Sequence, residues 1–198
     1  IRMIREITER RSIRRFKETQ VPRTMLEEII KAGMLAPSSK NRQPWKFIVT
    51  AGSEKAKALQ AMETGLLREK EVPLLPGSAM HLRGAEQTLK IMRQAPVVIF
   101  IVNPLALPLD RPLNAEDHIS EICNAQSAGA AIENMSLAAV NLGLGSLWIC
   151  DTYFAHEELL AWLGETGGLF AAFAVGYADE APAARPRKAL EETVVWRI

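Results

Sequence analysis

Three groups of residues carry more polar chemistry than a plain scaffold needs. The first is a dense basic run near the start, Arg10-Arg11-Ser12-Ile13-Arg14-Arg15-Phe16, in a chain whose formal net charge is only +1. Arginine offers a fixed fork of donors suited to phosphate, and Ser12 adds a hydroxyl inside the run. On charge alone the same run reads equally as a solvated turn. The second group is the stretch APSSKNRQPWKF, residues 36–47. It combines Pro37, Ser38, Ser39, Asn41, Gln43, Pro44 and Trp45. Prolines stiffen it, and its amides offer two donors and one acceptor each, a match for the edge of a flat heterocycle. The third is a cluster of cations near the end, Arg185, Arg187 and Lys188. Basic groups at both ends and a rigid polar loop between them suggest a ligand with a phosphate and an aromatic ring, a generic nucleotide-type site.

Other chemistries find little support. Gly143-Leu144-Gly145 lacks a third glycine and follows a helix, so it is not the strand-turn-helix fingerprint of a dinucleotide fold. His81, His118 and His156 are scattered without a second ligand at helical spacing, which argues against a metal site. Cys150 has no histidine nearby in sequence and reads as a small buried strand residue. No hydrolase or kinase signature is present, and no side chain is nominated as a nucleophile or general base. The near-neutral balance gives no electrostatic case for nucleic acid or a membrane surface. No apolar run approaches the ~20 residues of a membrane span. Cys123 and Cys150, the only cysteines, make neither a disulfide framework nor a metal cluster. The expectation is a reduced, cytoplasmic protein.

The 198 residues, 48% of them hydrophobic, suit a single domain over 1–198, with no repeat and no dividing linker. Met3, Ile4 and Ile7 predict a short first helix ahead of the basic run. Thr24 and Glu27 read as a capping box after Pro22, opening a helix with Met25, Leu26, Ile29, Ile30, Met34 and Leu35 on its apolar face. Pro37 stops it. A strand is expected over 46–50, then a helix over about 54–69 capped by Ser53. Residues 71–84 show no period and predict a long loop, followed by a short helix over about 85–94 that puts Gln87 and Lys90 on one face. The purely apolar 97–102 predicts a central strand buried on both faces. After a second proline-rich loop, 103–114, a long helix over 117–141 is crowded with Ala, Gly and Ser. That composition suits burial, against a second subunit in one reading. Strands over 145–150 and 170–177 bracket a short helix near 156–163, and 190–196 predicts a last strand.

These motifs, in this order, resemble the flavin mononucleotide-dependent nitroreductase family. Residues 10–16 look like its R-R-S-x-R-x-F motif and residues 36–45 like its A-P-S-x-x-N-x-Q-P-W loop. Gly129-Ala130-Ala131 through Asn134-Met135, with residues 142–145, look like its long dimer helix and following turn. Gly176-Tyr177, Pro186-Arg187-Lys188 and Val194-Val195-Trp196 look like its closing segment. The resemblance covers essentially the whole chain. It implies an α+β fold with a central, mostly antiparallel sheet flanked by helices. It further implies an intertwined homodimer with FMN at the interface and exchange of the C-terminal strand.

By the same resemblance, Arg10, Arg11 and Ser12 should meet the FMN phosphate and ribityl chain. Arg14 should approach the pyrimidine end, where a cation stabilises the anionic reduced flavin. Pro37, Ser38, Ser39, Asn41 and Gln43 should face the ring from the other subunit. Arg187, with Arg185 or Lys188, should complete the phosphate site. Backbone around Ile149, Cys150 and Asp151 should approach the ring's N5, and Gln87 and Lys90 occupy a place where some members contact the flavin. The implied reaction is ping-pong hydride transfer from NADH or NADPH through FMN to a nitroaromatic, a quinone or a similar oxidised small molecule. Alternatives are a flavin carrier or sensor without turnover, a member with another flavin chemistry such as dehalogenation or flavin cleavage, and a dimeric phosphate-ligand module without flavin.

Overall fold

The structure is a computed structural model of the chain and describes residues 3–74, 77–109 and 111–198. Leu75 and Pro76 of the expected 71–84 loop, and Asp110 of the expected 103–114 loop, lie outside the described residues. The helices are α1 (Arg5–Glu9), α2 (Arg23–Met34), α3 (Gly52–Glu71), α4 (Leu82–Gln94), α5 (Ala115–Asn141), α6 (His156–Leu163) and α7 (Leu190–Thr193). The strands are β1 (Lys46–Ala51), β2 (Val97–Asn103), β3 (Gly145–Ile149) and β4 (Gly168–Gly176). They form one sheet in the order β1-β2-β4-β3, with every neighbouring pair antiparallel. The α+β class and the antiparallel sheet expected from the sequence are therefore present.

β2 has every residue buried, and its alternation divides the core in two. Val98, Phe100 and Val102 face Leu59, Met62, Leu89 and Met92 of α3 and α4. Val97, Ile99 and Ile101 face Ile29 of α2 and Ile132, Met135 and Ala139 of α5. The helices thus cover both faces, and the apolar run 97–102 of β2 needs no polar side. Where α2 crosses α5, a methyl added at Gly33 would lie 2.9 Å from Met135 Cγ, so the small residue sets the helix separation.

Several local expectations are corrected. Thr24 and Glu27 form no capping box: Pro22 occupies the N-cap without a side-chain cap, and Glu27 instead accepts from Arg23 Nε at 2.9 Å. Ser53 does not cap α3, which begins at Gly52 after an uncapped Ala51. Met34 and Leu35 are exposed in the single chain, so the apolar face of α2 is narrower than its sequence suggests. α4 begins at Leu82, three residues before the expected start, after a 3-10 turn at Ser78–Met80. α5 is buried along its second half, but Ile119 and Ile122 in its first turns are exposed. Asn114 caps it, accepting from the Asp117 N–H at 2.9 Å.

The predicted last strand is also revised. Residues 190–193 are helical, and the Glu192 carboxylate accepts from the Ala189 N–H at 2.8 Å. Beyond them Val195, Trp196 and Ile198 are exposed, and among the described residues 194–198 pair with no strand of this chain.

Candidate functional site

The first basic run is held in extended form along β3. The Ile13 N–H donates to the Ser146 carbonyl at 2.9 Å, and Ser12 bridges Ser146 in parallel. Ile13 and Phe16 are buried while Arg14 and Arg15 are exposed. The alternation anchors the segment and turns its guanidinium groups outward. The second half of the run pairs with the far end of β4 and the tail. Phe16 bridges Ala178, Lys17 N–H donates to the Tyr177 carbonyl at 2.9 Å, and Asp179 N–H donates to the Arg15 carbonyl at 2.9 Å. Glu180 fastens this junction: its carboxylate accepts from the Arg14 and Arg15 N–H groups and pairs with Arg15 Nε at 3.6 Å. Sequence reasoning weighed only the cations of the tail and overlooked Glu180. A lone acidic residue carries no signal until its partner segment is known.

This pairing brings the two basic ends together. A cleft of about 280 Å³ is walled by Arg10, Arg11, Ser12 and Arg14 on one side and by Arg185 and Arg187 on the other. Lys188, expected to share this role, is not among its walls. Arg10 pairs with Glu133 of α5 at 3.5 Å, which orients that guanidinium. Arg11 donates through Nη1 to the Thr8 and Arg10 carbonyls, both at 2.8 Å, yet its Nε is buried without a partner among the described residues. Among the described residues, Arg187 donates only to the carbonyls of Arg185 and Pro186, each at 3.3 Å. Buried donors without acceptors are costly unless a ligand supplies them. A wall with five guanidinium groups and an orphaned Nε fits an anionic group with several acceptor oxygens, as a phosphate has.

The polar loop stands apart from that cleft. It leaves α2 and forms a tight turn at Ser39–Asn41 before entering β1. Lys40, Asn41 and Gln43 all have positive φ, at 53°, 53° and 49°. None is glycine, so each costs on the order of 1–3 kcal/mol that surrounding contacts must offset. Ser38 Oγ accepts from the Gln43 N–H at 3.0 Å and closes the turn upon itself. Ser39 N–H donates to Ser127 Oγ on α5 at 3.2 Å. Trp45 stacks on Phe47 with centroids 6.5 Å apart, which fixes the far end. Pro37, Asn41 and Gln43 remain exposed. A loop held this rigidly, with its amides facing out, can present fixed donors and acceptors to a surface brought against it.

The remaining candidates lie at the end of β3 and on α4. Ile149 is buried as the last strand residue, whereas Cys150 is exposed just beyond it. This corrects the reading of Cys150 as a buried strand residue: the strand stops one residue early. Partial burial of the sulfur and the neighbouring Asp151 push its thiol up, which disfavours the thiolate a nucleophile needs. Asp151 accepts from the Thr88 hydroxyl of α4, tying the turn after β3 to that helix. Gln87 and Lys90 are exposed on α4, and Lys90 lines a groove between α3 and α4 with Lys70, Glu86 and Arg93. His156 is a structural acceptor: its Nε2 receives the Leu169 N–H at 3.2 Å, and burial lowers its pKa. Among the described residues no group of three or more His, Cys, Asp or Glu is placed to hold a metal ion. No helix of the described residues is long and apolar enough to cross a membrane.

Comparison with known proteins identifies the family. A protein of Archaeoglobus fulgidus, provisionally named NADH dehydrogenase/NAD(P)H nitroreductase, is 30% identical over 88% of this chain and 84% of its own. A provisionally assigned nitroreductase of Desulfovibrio desulfuricans, solved in complex with FMN, superimposes with a TM-score of 0.71 at 26% identity, covering 98% of this chain and 95% of that one. A BluB-like flavoprotein of Clostridium difficile superimposes with a TM-score of 0.76 at 27% identity, covering 98% and 97%. The model of the nitroreductase family matches residues 7–177, from the first helix to the last residue before the tail. With its basic ends joined over β3 and its rigid loop between α2 and β1, the chain belongs to the nitroreductase family.

Proposed function

We propose that this chain is an FMN-dependent oxidoreductase that takes hydride from NADH or NADPH and passes it to an oxidised small molecule such as a nitroaromatic or a quinone. It works as one domain in a homodimer. The observation that carries this reading is the arginine-walled cleft, where Arg11 Nε is buried without a partner among the described residues. The A. fulgidus relative's name supplies the nicotinamide donor, and the D. desulfuricans protein supplies FMN as the ligand.

In this reading Arg10, Arg11, Ser12, Arg185 and Arg187 hold the phosphate and ribityl end. Arg14 lies toward the pyrimidine end and favours the anionic reduced ring. Pro37, Ser38, Ser39, Asn41 and Gln43 face the ring of the partner's flavin, and the exposed Ile119, Ile122 and C-terminal apolar residues meet the second subunit. The backbone of Ile149, Cys150 and Asp151 approaches the ring edge near N5, and Gln87 and Lys90 border the same space. When bound, FMN supplies the hydride-accepting and hydride-donating chemistry, so the protein needs only to bind, orient and tune. That agrees with a Cys150 whose thiolate is disfavoured and a His156 committed to the Leu169 N–H.

Absorption spectroscopy of the purified protein tests the proposal. A flavin band that bleaches anaerobically with NADH or NADPH and returns on adding a nitroaromatic or quinone is the expected result. No flavin band even after adding FMN would overturn it. A band that neither donor bleaches would leave a flavin carrier without turnover.

A further inference from the structure

We propose that Ser127 is a positioning residue: it hangs the polar loop from α5 and so sets how the loop meets the flavin. This rests on the reading of residues 37–43 as flavin-facing. Ser127 is 5% exposed and one helical turn beyond Cys123, to whose carbonyl its hydroxyl donates at 2.7 Å. That bond uses the only hydrogen on Oγ, so its free lone pairs must accept. The donor they receive is the Ser39 N–H at 3.2 Å.

The attachment falls where the loop needs it most. Ser39 directly precedes Lys40 and Asn41, two residues in the left-handed region, and Gln43 is a third. Ser38 Oγ clasps the turn internally through the Gln43 N–H at 3.0 Å. An internal clasp fixes the shape of the turn and leaves its position on the body open. The Ser127 bond supplies an external point at the turn itself, from a buried side chain on the longest helix of the fold. Without it the Ser39 N–H loses its acceptor, and relaxation of Lys40 and Asn41 out of their costly conformation moves the Asn41 and Gln43 amides with them.

The test compares Ser127→Ala and Ser127→Thr in the full-length protein. Alanine is the better helix former and removes a hydroxyl that back-bonds within α5, so the variant folds. Three readings are taken: amide exchange over 38–43, FMN affinity by fluorescence titration, and the flavin midpoint potential. In S127A, exchange at Ser39 should quicken and FMN should bind more weakly, each by about fivefold, the size of one net hydrogen bond. The potential should shift as well, and S127T should restore all three. Unchanged exchange, affinity and potential in S127A would overturn the proposal. If the unsubstituted protein binds no FMN, the flavin reading fails on its own. The exchange arm then decides alone: faster exchange at Ser39 supports the attachment, and unchanged exchange overturns it.

Discussion

The contact between Ile13 and Gly145 links the stability of the fold to the arginine cleft, and Gly145→Ala tests that link. Gly145 opens β3, directly beneath the segment that carries Arg10 to Arg14. A Cβ added there would lie 2.7 Å from Ile13 Cγ1 and 3.1 Å from both Ile13 Cβ and Cγ2, where ordinary contact begins at 3.4 Å. The shortfall at the tightest atom is therefore about 0.7 Å, from 3.4 less 2.7. Ile13 is 6% exposed and tied by its N–H to Ser146, so it cannot swing into water. Relief must come from lifting the whole segment. Forcing one methyl into a packed site costs about 1–3 kcal/mol. At roughly 2–4 °C per kcal/mol for a chain of this size, the melting temperature should fall by about 2–12 °C. The arginines ride on the lifted segment, so FMN affinity should drop by about tenfold, the equivalent of some 1.4 kcal/mol. Calorimetry and fluorescence titration measure the two effects. A double-mutant cycle with Ile13→Ala isolates the clash: G145A should cost at least ~1 kcal/mol less when Ile13 is already truncated. Wild-type melting and affinity in G145A would refute the argument. So would a loss that I13A leaves undiminished, because the clash would then not be its cause.

Other predictions follow from the same geometry. His156 has a depressed pKa because burial disfavours its charged form. Its contribution to stability is therefore fully present above the unfolded value near 6.5 and declines as pH falls below it, while the unfolded chain takes up a proton first. The urea midpoint should fall over that range, and His156→Gln should flatten the dependence. Arg68→Ala removes one partner of Glu158, at 2.6 Å, and one partner of Glu69, which is 1% exposed, at 2.8 Å. It should cost at least ~1 kcal/mol in chemical denaturation because the Glu69 carboxylate stays buried. A loss below ~1 kcal/mol would show the network to be dispensable. Arg187→Ala should weaken FMN binding by about tenfold at low salt, with the difference narrowing as salt rises because the cleft is open and screened. An unchanged affinity would remove Arg187 from the phosphate site.

The parts of the fold legible in the sequence were those set by local periodicity. The apolar run of β2 and the small-residue length of α5 announced themselves, and the lack of any polar alternation in 97–102 correctly meant burial on both faces. The two basic clusters were visible as charge, but the device that joins them was not. Glu180 and the Phe16–Ala178 bridge act between residues more than 160 apart, and no window along the chain contains both. The role of Ser127 was not legible along α5, since it depends on a loop 88 positions away. The capping box at Thr24 failed because Pro22 already occupied the N-cap with φ −57°, so Thr24 fell inside the first turn. Residues 190–196 read as a strand in the sequence, yet in the single chain the first four wind into α7 around the Glu192 carboxylate. A strand pattern without a neighbour has nothing to bond to. Gly143-Leu144-Gly145 has a structural account. Gly143, at φ +73°, ends α5 while the Leu144 N–H reaches back to the Ala139 carbonyl at 2.8 Å, and Gly145 makes room for Ile13.

The bridge from Ser12 to Ser146 has a consequence for the integrity of the sheet. β3 lies at one margin of the order β1-β2-β4-β3, and a bare margin offers unpaired amides and carbonyls to any passing strand. Here residues 12–13 cover that margin. Losing or displacing them would empty the arginine cleft and at the same time bare a strand whose exposed Trp148 invites self-association. Damage to this segment should therefore yield aggregated protein more readily than soluble protein that has merely lost its ligand. A ligand that holds the arginines in place would protect solubility as well as activity.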